Sequence, residues 1–193
     1  LLRQKYEELA IAKKETFNVF KILSLESDEV RLHSRFLAEL LDAKGSHQMG
    51  TLFLDLWLKQ VLPDVEFSQK GLKIEVEKTI PTGRRLDIIL SNEDNQCIIV
   101  ENKIYAADQE RQLFDYYEYG KQYRECRLLY LTLGGSEPHK NSSKGLEADK
   151  DYVCISYDND IYEWITACMK ESFDYPLIRE TLKQYRHTLA ALT

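Results

Sequence analysis

No stretch of this sequence stays apolar long enough to cross a bilayer, and its charged, amphipathic start is no signal peptide. A membrane partner is therefore not expected, and a cytoplasmic setting is. Basic charge is also short: 26 Lys and Arg stand against 32 Asp and Glu, a net charge of −6. That balance counts against tight non-specific binding to nucleic acid and leaves room for a local site working through metal ions. Cys97, Cys126, Cys154 and Cys168 form no CxxC pair and have no partnered histidine spacing, so zinc and a disulfide framework are not expected; four buried thiols are. Internal repeats and long linkers are missing too. What remains is 193 residues, 44% hydrophobic and 30% charged, the profile of one globular domain spanning 1–193. The first residue is Leu rather than Met, which leaves open native residues missing at either end.

The centre of the chain is the stretch 84–103, reading RRLDIIL, a polar SNEDNQ turn, then CIIVENK. Two apolar runs around a polar turn predict a hairpin of buried strands. Yet Asp87 interrupts the first run, and Glu101 and Lys103 end the second. A charge taken out of water needs a compensating partner. On a strand, side chains two apart point the same way, so Glu101 and Lys103 share a face with Cys97 and Ile99 while Asn102 points away. With Asp87 in register, two carboxylates and an ammonium fill one notch. Two hard oxygen donors begin a divalent-cation site, completed by waters and substrate phosphate, and the lysine can orient water or stabilise phosphate charge. A structural ion pair accounts for the same spacing.

Around this hairpin the pattern predicts helices over 3–23, 28–43 and 48–61, the second capped by Ser27 or Asp28. These form a helical part over 1–62. Alternation over 72–80 predicts a half-exposed strand, and Pro81, Thr82 and Gly83 turn the chain into the hairpin. A helix over 108–123 and a buried strand over 126–133 complete a core at 72–133. A polar loop over 134–151, a strand at 152–156, and helices at 161–170 and 176–192 form the remainder, 134–193. The result is an α/β domain, a central mixed sheet with helices on both faces. Glu29 and His33, four apart, project from one side of the second helix. They look into the site, or they are a dipole-favoured carboxylate and a core-edge histidine. Gln112 and Tyr116 share a helix face and either hydrogen-bond phosphate, scaffold the strand ends, or half-bury an ordinary amphipathic helix.

This arrangement resembles the PD-(D/E)XK nuclease superfamily, with its restriction-endonuclease-like core of hairpin, crossover helix and further strand. Asp87 and Glu101-Asn102-Lys103 match the motif, except that Leu86 replaces the proline of the family name, at a position that varies widely. Gln112 and Tyr116 resemble the Q-x-x-x-Y motif of the RecB-like branch, and His33 the upstream histidine of that branch. The runs NVFKILSLESDEVRLHSRFLAELLDAKGSH and IIVENKIYAADQERQLFDYY are similar to uncharacterised bacterial members. The resemblance implies a metal-dependent nuclease hydrolysing phosphodiester bonds, in DNA. Asp87, Glu101, the Asn102 carbonyl, Glu29 and His33 would hold Mg²⁺, for which Mn²⁺ substitutes. Lys103 and Gln112 would be catalytic beside Asp87 and Glu101, and Arg84 and Tyr116 would meet substrate, although Arg84 equally suits a pair with a carboxylate of the site. A binding or scaffold protein that keeps the fold without turnover is the alternative. A homo-oligomer or partner subunit stays open.

Overall fold

The structure, a computed structural model, describes residues 17–192. The helix expected over 3–23 therefore lies mostly outside the described residues. Its described end is α1, Val19–Ile22, capped by the Asn18 carboxamide oxygen, which accepts the Phe20 and Lys21 N–H groups. The second helix opens where its cap predicts, with Asp28 accepting the Arg31 N–H. Its first turns, Glu29–Ser34, are wound wider than an α-helix, with the His33 N–H reaching back to the Asp28 carbonyl. Such π-type winding concentrates at functional sites. It tightens into α2, Arg35–Leu41. The third helix, α3, is Leu52–Val61 and starts later than its apolar content predicts. Gln48 and Gly50 take left-handed φ angles that delay it.

Five strands follow the expected spans closely: β1 Lys73–Thr79, β2 Arg85–Ser91, β3 Gln96–Lys103, β4 Glu125–Thr132 and β5 Val153–Ser156. They form one mixed sheet in the order β1-β2-β3-β4-β5. The first three strands pair antiparallel; β3, β4 and β5 run parallel. The parallel pairing of β3 with β4 requires a crossover, supplied by α4, Gln112–Gly120. Here α4 is shorter than the predicted 108–123, because Arg111 adopts a left-handed φ and donates its N–H to the Asn141 carbonyl. A Cβ on Gly120 would stand 2.7 Å from Cys126 Sγ, so glycine lets the end of α4 lie close on β4.

The sheet is covered on both faces. Ile98 and Val100 of β3 face the larger core with Trp57, Trp164 and Tyr185, from α3, α6 (Tyr162–Glu171) and α7 (Pro176–Leu192). Cys97 and Ile99 face a smaller core with Leu113 and Tyr116 of α4. The buried Trp164 donates its Nε1–H to the Phe53 carbonyl at 2.8 Å, which ties α6 to α3 without an orphaned indole. The polar loop over 134–151 contains one short helix, α5, Lys140–Ser143, and a second wide-wound turn, Tyr157–Ile161, leads into α6. Cys126 and Cys154 are half-buried rather than buried, and the four cysteines are free. Among the described residues, no helix is long and apolar enough to cross a membrane.

Candidate active site

The antiparallel ladder between β2 and β3 reaches Ile88↔Val100, and the next residues along each strand are Asp87 and Glu101. Alternation sends both carboxylates to one face, as read from the sequence. Asp87 Oδ2 accepts the Asn102 N–H at 2.7 Å. Lys103 Nζ lies 2.9 Å from Glu101 Oε1, with both side chains largely withdrawn from solvent. Neither oxygen of Glu101 sits in hydrogen-bonding geometry, although the residue is only 1% exposed.

A buried carboxylate with one ion pair and no well-aligned hydrogen bond is costly unless something else completes it. Burial pushes Asp87 up to about 6, against the pull of the Asn102 N–H and the Lys103 ammonium. Burial, and then the Asp87 charge, raise Glu101 well above the ordinary carboxylate range. Burial works against the Lys103 ammonium, but Glu101 and Asp87 more than offset it and hold Lys103 above its usual value. With both carboxylates ionised the trio carries one net negative charge; a divalent cation would favour that ionised form and leave one positive charge over for a phosphate. The donors are hard oxygens, which suits Mg²⁺. Among the described residues no group of three or more His, Cys, Asp or Glu donors is preassembled for a metal. Mg²⁺ commonly binds with one or two carboxylates and keeps several waters.

These groups stand in a cleft of about 530 Å³, whose walls also include Glu29, Arg84, Gln112 and Tyr116. Glu29, the first helical residue after the Asp28 cap, places Oε1 within 2.7, 2.7 and 2.9 Å of the N–H groups of Ile104, Tyr105 and Ala106. The structure corrects the reading of His33, which does not line the cleft. His33 is fully buried, with Nδ1 2.9 Å from the Tyr185 hydroxyl and Nε2 2.8 Å from the Glu26 carbonyl. The carbonyl requires a proton on Nε2, so Nδ1 accepts from Tyr185. Burial holds His33 below its usual pKa and keeps it neutral. Both nitrogens are spent inside the core, leaving none for a cation.

Asn102 points away from the carboxylates, as alternation requires. Its Nδ2 donates to the Glu29 carbonyl and Ser34 Oγ, and its Oδ1 accepts from the buried Tyr157 hydroxyl at 2.8 Å. The strand end is thereby bolted to the helix that carries Glu29. On the other side, Tyr116 donates to the Arg85 carbonyl at 2.6 Å and accepts from Gln112 Nε2 at 3.2 Å. Gln112 and Tyr116 thus hold the start of β2, the scaffolding option of their sequence reading. Arg84 lines the cleft but pairs with Asp115 at 2.6 Å and donates to Gln109 Oε1. Arg85 pairs with Glu77, whose φ of +55° is strained for a non-glycine residue within a strand. Sequence reasoning missed Glu77 and Asp115. Asp115 lies 31 residues from Arg84, and no local pattern signals that pairing.

A mixed sheet whose hairpin carries an aspartate on one strand and Glu-x-Lys on the next, with a crossover helix to a parallel strand, is an α/β fold of the restriction-endonuclease type. Residues 17–187 match the family model of the PD-(D/E)XK nuclease superfamily, and the chain belongs to that superfamily. No curated protein matches it, and no solved structure does.

Proposed function

We propose that this chain is a divalent-metal-dependent nuclease that hydrolyses phosphodiester bonds in DNA. The observation carrying this reading is the Glu101 carboxylate, buried beside Asp87 with only the Lys103 ammonium against it, at the wall of an open cleft. Asp87 and Glu101 would hold the cation, with the Asn102 carbonyl as a further ligand and Glu29 as an outer carboxylate. When bound, Mg²⁺ supplies Lewis acidity, lowering the pKa of a water and neutralising phosphate charge. Lys103 brings a fixed positive charge to the point where negative charge grows on the phosphate oxygens. Gln112 and Tyr116 keep the start of β2, and with it Asp87, in register.

The test is cleavage of labelled single- and double-stranded DNA with Mg²⁺, Mn²⁺ or EDTA, beside Asp87→Ala and Lys103→Ala. Metal-dependent cutting, lost in both folded variants, is the expected result. The pairing of Arg84, Arg85 and Lys103 with carboxylates favours a second reading, a nuclease-fold binding protein without turnover. A wild-type chain that binds Mg²⁺ but cuts neither DNA form would select that second reading.

A further inference from the structure

Three consecutive backbone N–H groups, from Ile104, Tyr105 and Ala106, converge on one oxygen of Glu29 at 2.7, 2.7 and 2.9 Å. They follow Lys103 directly, and Glu29 lines the cleft. Successive amides aimed at one point form an anion-binding nest, the kind of site that takes phosphate oxygens. Carboxylate and phosphate oxygens are interchangeable guests for such donors. We propose that the amides of 104–106 are a phosphate subsite, and that Glu29 fills it until a substrate phosphate displaces it. This deepens the nuclease reading and rests on it for the identity of the phosphate, a backbone phosphate of the nucleic acid.

Charge in the cleft supports the assignment. Arg84, Arg85 and Lys103 are each engaged by a carboxylate, so drawing any of them onto a phosphate leaves that carboxylate without its partner. The amides carry no such obligation. Exchanging the Glu29 carboxylate for a phosphate oxygen keeps three N–H groups bonded and leaves the charge at the nest nearly constant. Ile104 is buried while Tyr105 is 67% exposed, so the nest sits at the edge of the core, next to Lys103 and Glu29 of the cleft wall. The backbone of Glu29 is held by its helix turn and by Asn102, so rotation of the side chain alone takes its carboxylate out of the nest.

The experiment is titration of the metal-free full-length chain with inorganic phosphate, followed by amide chemical shifts and calorimetry, in wild type, Glu29→Ala and Glu29→Gln. In the wild type, high phosphate shifts the amides of Ile104, Tyr105 and Ala106. With the plug removed, Glu29→Ala binds phosphate at least about tenfold tighter, the equivalent of about 1.4 kcal/mol. Glu29→Gln keeps an acceptor but loses the charge, and falls between the two. Should phosphate shift other amides, or bind a folded Glu29 variant no tighter than wild type, the subsite is overturned. If Glu29→Ala fails to fold, the wild-type shift map and Glu29→Gln still decide. Mg²⁺ titration and DNA cleavage by the wild type report on Asp87 and Glu101 instead. A failed nest and a failed nuclease reading are thereby told apart.

Discussion

Replacing Asp87 by asparagine should make the protein more stable and at the same time unable to respond to metal. In the folded chain Asp87 titrates near 6, against an ordinary value of 3.8, because burial penalises its charge. That value already includes the help of the Asn102 N–H and Lys103. At about 1.4 kcal/mol for each pH unit, keeping Asp87 ionised at neutral pH costs about 3 kcal/mol of stability. The sign follows from which state binds the proton more tightly. Here it is the folded state, so stability falls as pH rises from 3.8 towards about 6, and the whole penalty applies above that. The carboxamide of the Asp87→Asn variant would keep an acceptor for the Asn102 N–H and carry no charge. Thermal and urea unfolding at neutral pH should show the variant ahead by up to about 3 kcal/mol, or roughly 6–12 °C in Tm for a chain of this size. The advantage should shrink at about pH 5, where most wild-type molecules carry the proton. Mg²⁺ should raise the Tm of the wild type and leave that of the variant unmoved. A variant no more stable than wild type at neutral pH, or one that Mg²⁺ stabilises equally, would show that Asp87 is neither destabilising when ionised nor needed for the cation.

Lys103→Ala should lower the cleavage rate by about 10²–10³ through loss of a fixed charge at the phosphate, while calorimetry still detects Mg²⁺ binding. His33→Phe keeps a ring but strands the Tyr185 hydroxyl and the Glu26 carbonyl, so urea unfolding should show a loss of about 1–3 kcal/mol. Its Mg²⁺ affinity should match wild type, and a large drop would restore His33 as a ligand. Fluorescence anisotropy in EDTA should show little DNA binding, since the cations of the cleft are held by carboxylates. Inert Ca²⁺ should raise binding, and metal-independent affinity of the wild type would count against a metal-bridged substrate.

The hairpin and its three charged residues were legible because two independent patterns coincide. Period-two apolar alternation sets the strands, and charge appears where that alternation forbids it without a partner. The same alternation sent Asn102 to the opposite face, where it meets Tyr157 and Ser34. The ligand role of His33 came only with the resemblance; the structure shows the other reading of the residues, a histidine hydrogen-bonded in the core, because Tyr185 and the Glu26 carbonyl, far apart from each other in sequence, take both ring nitrogens. Of the two readings of Arg84, a phosphate contact or a pair with a carboxylate of the site, the structure shows the second; its partner, Asp115 on α4, is set by the crossover and not by the local sequence. The three amides that hold Glu29 are backbone groups, which leave no mark in a sequence of side chains.

The strained backbone of Glu77 has a consequence at the opposite scale from catalysis. Among the described residues β1 is an outer strand of the sheet, and its pairing with β2 is interrupted between Val76↔Ile88 and Lys78↔Leu86, where Glu77 takes its left-handed turn. An outer strand of regular backbone offers a template on which a second molecule can add its own strand, the first step of aggregation. Here the template carries Lys73, Glu75 and Lys78 and is broken by one left-handed residue, while the outer strand on the far side, β5, is only four residues long. The left-handed residue whose carboxylate lines the cleft thus also interrupts the regular edge on which a second strand would grow.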